Sequence, residues 1–255
     1  MATDLPAAGT PARSAVPSAT ELSPIWHPSP NFGSRRDGLK PSLVVLHYTA
    51  MNSAQAALER LCDPDAEVSA HYLIGCDGTL WQMVREEDRA WHAGAGAWRG
   101  FSDINSRSIG IELDNRGDHP FSEPQMAVLE NLLSHLQERL GIKPWNVIAH
   151  SDMAPERKLD PGPKFDWDRL AQQKMAAGPA VLKGICLDEL PPDDQYFALV
   201  AKRAGYPKAP AADLLKAFRS RFAPWRRGPL SKKDMGDIER LAGLMEHLDG
   251  IRVDV

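Results

Sequence analysis

The sequence predicts an α/β fold in which a mixed central β-sheet is flanked by helices, followed by a small C-terminal three-helix domain. Three observations carry that prediction. Two short apolar runs, Leu43-Val44-Val45-Leu46 and Val147-Ile148-Ala149, read as strands buried on both faces, and each ends in a histidine, His47 or His150. Between them Met126, Leu129, Leu132, Leu133, Leu136 and Leu140 recur at helical spacing. Beyond residue 192 come three more helical segments.

Taken in order, residues 1–24 are poor in bulky apolar side chains and rich in Pro and Ala, so a mobile tail is expected there. The first strand is Leu43 to Tyr48. Ser53 can cap a short helix carrying Ala57, Leu58 and Leu61, which stops before Pro64. Val68 to Ile74 and Thr79 to Val84 flank Asp77-Gly78, a hairpin signal with His71 inside its first strand. In Ser108 to Leu113 the alternation puts Ile109, Ile111 and Leu113 on one face and Ser108, Gly110 and Glu112 on the other. Ser122-Glu123-Pro124-Gln125 has capping-box spacing with Pro in the first turn, and Gly141 ends the helix that this box opens. These elements define a domain over 25–175. Composition then shifts through Gly178-Pro179 and Pro191-Pro192, giving a linker at 176–192 and a helical domain at 193–255. Its helices are expected near 193–204, 211–222 and 231–248, the last opening with Ser231 and Asp234 at capping spacing.

A chain of 255 residues can hold a domain of moderate size and a small one. A net charge of -4 gives no global pull toward nucleic acid or an anionic membrane, and no run approaches the roughly 18 apolar residues of a membrane span. Cys62, Cys76 and Cys186 are odd in number with no C-x-x-C pair. They fit a reducing compartment, read as small buried hydrophobes, and argue against a thiolate metal site. The first twenty residues show no basic start followed by an apolar core, so a cytoplasmic location is expected. A true start further upstream would instead place the protein in the periplasm or at the outer-membrane side.

The chemistry begins at His150. Ten residues later Asp160 lies among Pro155, Pro161, Gly162 and Pro163, a stiff loop able to hold a carboxylate against an imidazole. His47, His150 and Asp160 are therefore a candidate ligand set, since a catalytic zinc takes about three nitrogen or carboxylate ligands and keeps a position for water. Spacing alone is weak support. A lone histidine at a strand end is usually structural, and His27, His119, His135 and His247 are read that way.

The pieces Leu46-His47-Tyr48-Thr49, Ser69-Ala70-His71-Tyr72-Leu73-Ile74, Ala90-Trp91-His92-Ala93-Gly94, Ser108-Ile109-Gly110-Ile111-Glu112, and His150-Ser151-Asp152 through Lys158-Leu159-Asp160-Pro161-Gly162-Pro163 occur in this order. Together they closely resemble the type 2 N-acetylmuramoyl-L-alanine amidases, zinc enzymes related to phage lysozyme-type amidases and peptidoglycan recognition proteins, over about residues 25–170. The resemblance implies one zinc on His47, His150 and Asp160. It implies that Glu112 activates or orients the water and that Lys158 stabilises the oxyanion, where composition alone would leave both as solvated surface. It also offers His71, His92, Tyr48, Trp91 and Asn105 as residues lining the substrate cleft, although Tyr48 and Trp91 can equally be core.

The implied function is hydrolysis of the amide between N-acetylmuramic or anhydro-N-acetylmuramic acid and L-alanine of stem peptides, in bacterial peptidoglycan turnover. Muropeptides, anhydro-muropeptides or the sacculus would be the partners. The C-terminal segment Leu214 to Pro224, with the helix from Ser231, looks like the peptidoglycan-binding modules that accompany such amidases. Seven Lys or Arg and no acid lie between Lys216 and Lys233, interleaved with Phe218, Phe222 and Trp225. They form either a basic surface for wall-peptide carboxylates or a solvated face over i, i+4 core partners. Two rivals stand beside this reading. One is a non-catalytic peptidoglycan-recognition protein, and the other a non-haem iron enzyme built on His150, Asp152 and His247.

Overall fold

The computed structural model describes residues 22–182 and 190–250. Most of the expected tail, Cys186 and part of the expected linker lie outside the described residues. The strands are β1 (Ile25–Trp26), β2 (Phe32–Ser34), β3 (Leu43–Tyr48), β4 (Tyr72–Ile74), β5 (Leu80–Gln82), β6 (Asp88–Ala90), β7 (Ser108–Leu113) and β8 (Val147–Ala149). The helices are α1 (Ala54–Cys62), α2 (Ile104–Arg107), α3 (Glu123–Leu140), α4 (His150–Met153), α5 (Trp167–Gln172), α6 (Asp194–Arg203), α7 (Ala211–Phe222) and α8 (Lys232–Gly250). Six strands form one sheet in the order β1-β5-β4-β7-β3-β8, while β2 pairs with β6 apart from it. Within the large sheet β5 and β4 are antiparallel and every other pairing is parallel, which makes it mixed.

Alternation along β3 decides where the core and the chemistry go. Val44 and Leu46 join Ile109, Ile111 and Leu113 under α3, where Leu129, Leu133 and Leu136 are fully buried. Each such side chain contributes about 1.5–3 kcal/mol of burial. Leu43 and Val45 face the other way, and His47 continues that second face at the strand's end. Caps set the helix ends as the sequence indicates. Ser53 Oγ accepts from Ala56 N–H at 3.2 Å, and Gly141, with φ +67°, closes α3 in the left-handed conformation. Gln125 departs from the expected capping box, because its amide donates instead to the Ile74 carbonyl at 2.8 Å and ties α3 to the end of β4.

The hairpin forms around Asp77-Gly78 but is shorter than expected, and His71 sits just before β4 rather than inside a strand. Cys76 is exposed and Cys62 half-buried, so neither is the small buried hydrophobe expected. Leu22, placed in the tail by composition, packs against the core beneath α3.

The three C-terminal helices lie where the sequence puts them. Phe197, Phe218, Phe222, Ile238 and Leu241 are buried among them, with Phe218 and Phe222 stacked at 5.5 Å. This cluster is continuous with Val45, Ile148 and Met153 on the second face of the sheet. The stretch expected as a linker is packed over its first residues: Ala176 and Ala177 are buried, and Val181 and Leu182 rest on the helical core. The basic run is largely consumed by structure. Arg219 pairs with Asp234, Arg226 with Asp234 and Asp237, and Arg221 with Asp152, while Trp225 stays 62% exposed.

Candidate active site

β3 and β8 are hydrogen-bonded neighbours, so the histidines that end them arrive side by side. The turn after α4 then returns Asp160, whose carbonyl accepts from Ser151 N–H at 3.0 Å and so clamps the loop to the residue after His150. The outcome is a compact triangle. His47 Nδ1 lies 2.8 Å from His150 Nδ1 and 3.0 Å from Asp160 Oδ2, and His150 Nδ1 lies 2.9 Å from the same oxygen.

The hydrogen-bond network identifies the protons. Ser108 Oγ donates to the Ile104 carbonyl at 2.6 Å and therefore accepts from His92 Nε2 at 3.1 Å. His92 Nδ1 is then bare and accepts from His47 Nε2 at 3.0 Å. His150 Nε2 faces the Ala93 carbonyl at 3.0 Å, which can only accept. The His47 and His150 imidazoles thus both carry a proton on Nε2 and turn Nδ1 inward. Burial, followed by the neighbouring His150, lowers the His47 pKa to about 4, so it stays neutral at physiological pH. Two imidazole nitrogens and a carboxylate oxygen therefore converge within 3.0 Å of one another. Such a donor set fits a cation, and the nitrogen-rich, thiol-free composition suits zinc.

Glu112 is the Cα partner of His47 across β3 and β7. It borders the cleft, and its Oε2 is buried with no hydrogen-bond partner. Burial, then the charge of Asp160, raises its pKa to about 8, with Lys158 acting in the opposite sense. The cleft itself measures about 440 Å³ and is lined by His47, His150, Asp160, Glu112, Lys158 and Trp91, among others, with Tyr48 and His92 at its edge.

The remaining expected residues separate into two groups. Trp91 and Tyr48 border the cleft, with the Tyr48 ring packed so closely on Gly117 that a Cβ there would lie 2.7 Å away. His92 also borders it, but both its ring nitrogens are spent on His47 and Ser108, so it supports the His47 ring rather than offering a polar contact to a bound molecule. His71 and Asn105 do not line the cleft. His71 is fully buried, accepts from Gly110 N–H at 3.0 Å and is kept neutral by burial and Arg35, with a pKa lowered to about 3. Asn105 Oδ1 accepts from His92 and Ala93 N–H at 3.1 and 2.8 Å and so fixes the loop carrying His92.

The structural roles of two residues escaped the sequence reading. Arg157 donates to the Ala93 and Ala95 carbonyls and locks the loop against which His150 rests. Asp152, considered as an iron ligand, instead accepts from Ala149 N–H and Arg221 and is fully buried away from the triangle. His247, its supposed companion, is exposed on α8. Neither the Arg157 nor the Asp152 contact has a local signature, because both join segments about 60 or 70 residues apart.

Comparison with known proteins accords with this geometry. A family profile described as N-acetylmuramoyl-L-alanine amidase matches residues 37–163. The 1,6-anhydro-N-acetylmuramyl-L-alanine amidase AmpD of Enterobacter cloacae is 37% identical over 162 residues, covering 56% of this chain and 85% of that protein. The chain belongs to the N-acetylmuramoyl-L-alanine amidase family. The amidase AmiD of Escherichia coli (strain K12) is 43% identical over 155 residues, and this match spans 54% of each protein, about half the length of that relative. Among solved structures, the complex of Escherichia coli AmiD with anhydro-N-acetylmuramic acid-L-Ala-D-gamma-Glu-L-Lys superposes at a TM-score of 0.71 with 33% identity. It covers 84% of this chain and 92% of that one. AmpDh3 from Pseudomonas aeruginosa, in complex with anhydromuramic pentapeptide, gives 0.70 at 30% identity, over 83% of this chain and 94% of that one. Both coverages exceed the span of the family profile, so the likeness extends beyond the residues that the profile matches. Among the described residues no helix is long and apolar enough to cross a membrane.

Proposed function

We propose that the chain is a zinc-dependent amidase that hydrolyses the bond between the lactoyl group of N-acetylmuramic or anhydro-N-acetylmuramic acid and L-alanine of the stem peptide, in peptidoglycan turnover. The observation that carries this reading is the triangle of His47, His150 and Asp160 with Glu112 in register beside it. The anhydromuropeptides bound by the two solved relatives supply the substrate class.

His47, His150 and Asp160 would hold the zinc, which supplies a Lewis acid and lowers the pKa of water toward 7. Glu112 is the general base. Burial and then the Asp160 charge raise its pKa; a cation held by the triangle would offset the Asp160 part, and Oε2, which has no other partner, would accept a proton from the attacking water. The water oxygen bonds to the carbonyl carbon, and the Lys158 ammonium stabilises the charge that develops on the carbonyl oxygen. Glu112 then returns the proton to the alanine nitrogen as the C–N bond breaks, leaving a muramic carboxylate and a free peptide amine. His92 and Asn105 act behind His47, holding the ring and its loop in place.

The test is mass spectrometry of products after incubation with anhydro-muropeptides and with intact sacculi, with and without a chelator. Release of free stem peptide, lost on chelation and in Asp160→Ala, supports the amidase, and the faster substrate separates recycling from wall digestion. Binding without cleavage by zinc-loaded protein would overturn it in favour of peptidoglycan recognition.

A further inference from the structure

Asp152 stands two residues after His150, in the single helical turn α4 that the ligand begins. Its carboxylate is fully buried, and Oδ2 accepts from Ala149 N–H at 2.9 Å and from Arg221 Nη1. Arg221 comes from α7, 69 residues along the chain, and is itself 2% exposed. Its other donors reach the Val147 carbonyl at 2.9 Å and the Ala177 carbonyl at 2.9 Å, and its guanidinium lies over the Trp167 ring at 4.3 Å. Val147 opens the strand that leads to His150, so one planar cation holds both ends of the segment that aims a ligand. The same helical unit supplies Tyr206, whose hydroxyl is kept protonated by burial and then by the charge of Asp152.

A buried carboxylate is costly without a partner, and a bidentate-capable guanidinium with three separate acceptors is a rigid one. Residues that orient metal ligands from behind change metal affinity by about 10–100-fold when removed. We infer that Arg221 is a positioning residue for the metal centre, acting through Asp152 and Val147 on His150, so that the C-terminal helices form part of the catalytic unit. This rests on the proposed reading of the triangle as a metal site, and the experiment separates the two.

The full-length variants Arg221→Met, Arg221→Lys and Arg221→Met/Asp152→Asn are compared with wild type in two ways. Zinc affinity is measured by competition with a chromophoric chelator on protein shown to be folded by near-ultraviolet circular dichroism. The His150 Nε2–H resonance and its exchange with solvent are followed by NMR in metal-free protein, which needs no metal to be informative. Arg221→Met is expected to lose about ten-fold or more in zinc affinity and to expose the His150 Nε2–H to exchange, at unchanged KM but lower kcat. Arg221→Lys keeps the charge but not the fork and falls between. The double variant removes both buried charges and recovers most of the affinity. If Arg221→Met or, should that variant not fold, Arg221→Lys retains wild-type zinc affinity and a protected His150 Nε2–H, Arg221 merely holds the helices and the inference is overturned. Wild type that binds no zinc would sink the metal reading, while the His150 resonance would still decide the role of Arg221.

Discussion

His47 and Glu112 are register partners on adjacent parallel strands and stand on the same face of the sheet. An imidazole and a carboxylate are thereby fixed side by side by backbone hydrogen bonds, so a change at Glu112 reaches the chemistry without moving His47. Glu112→Gln is expected to lower kcat about 10²–10⁴-fold while zinc affinity stays within a factor of a few. Steady-state kinetics with a metal titration check this, and full activity in the variant would remove Glu112 from the mechanism.

The raised pKa of Glu112 also predicts how the metal-free protein responds to pH. A carboxyl titrating near 8 when folded and near 4.5 when unfolded favours the folded state in its protonated form. Its contribution is complete below about 4.5 and is lost as pH rises through about 8, at about 1.4 kcal/mol per unit where the slope is steepest. Below about 6.5 the buried, neutral His47 and His71 oppose that slope, so it is between about pH 6.5 and about pH 8 that metal-free protein should lose roughly 3–6 °C of Tm per pH unit. Glu112→Gln should flatten the slope, and calorimetry at a series of pH values in chelator reads it directly.

Removing the metal should itself be visible as stability. A ligand that binds only the folded state adds about 2.7 kcal/mol at a hundred times its Kd. A chelator is then expected to lower Tm by about 5–10 °C at near-neutral pH. Asp160→Ala should have a Tm that no longer responds to chelator, and a response undiminished in that variant would place the metal elsewhere.

His92 provides a test of the tautomer argument. His92→Phe keeps an aromatic ring at this position but removes the acceptor for His47 Nε2–H, so His47 loses its orientation and zinc affinity should fall about 10–100-fold. Gly110→Ala should do the same from the strand side, because a Cβ there would run into the His92 ring. Zinc competition measurements on both variants, with circular dichroism to confirm folding, check the pair.

The sequence made the scaffold legible where the signal was local. Apolar runs located β3 and β8, Ser53, Ser122 and Gly141 marked helix ends, and alternation along β7 put Glu112 on the polar face. Ordered motifs then brought His47, His150 and Asp160 together. The features that stayed hidden depend on partners far along the chain. His71 resembled a cleft residue until Arg35 and Gly110 closed around it, and His92 resembled a substrate contact until Ser108 and His47 took its nitrogens. The stretch from Ala176 read as a linker because composition records backbone stiffness, whereas the packing of its described start, Ala176 to Leu182, is decided by Arg221 and the helical core it meets. Of the two readings of the basic run, the i, i+4 packing of Phe218 on Phe222 holds, while the pairing of Arg219, Arg221 and Arg226 stayed hidden because the acids that neutralise them lie outside the run.

Asp234 makes the packing of the C-terminal helices depend on pH. It is fully buried where α8 begins, and its carboxylate accepts from Arg219 Nε at 3.0 Å, Arg226 Nη1 at 3.0 Å and Ser231 N–H at 3.0 Å. Burial opposes its ionisation, yet the hydrogen bonds from Arg219, Ser231 and Arg226 hold its pKa down to about 2. A depressed carboxyl contributes stability that is present above its unfolded value of 3.8 and disappears as pH falls through about 2. Asp234→Asn leaves the Arg219 guanidinium buried beside a neutral amide and should cost about 3–5 kcal/mol at pH 7. The gap from wild type should narrow steadily between about pH 4 and about pH 2, because wild type loses there what the variant never had. Urea unfolding at those three pH values measures it, and a gap that stays constant would show that the Arg219–Asp234 charge pair does not hold α7 to α8.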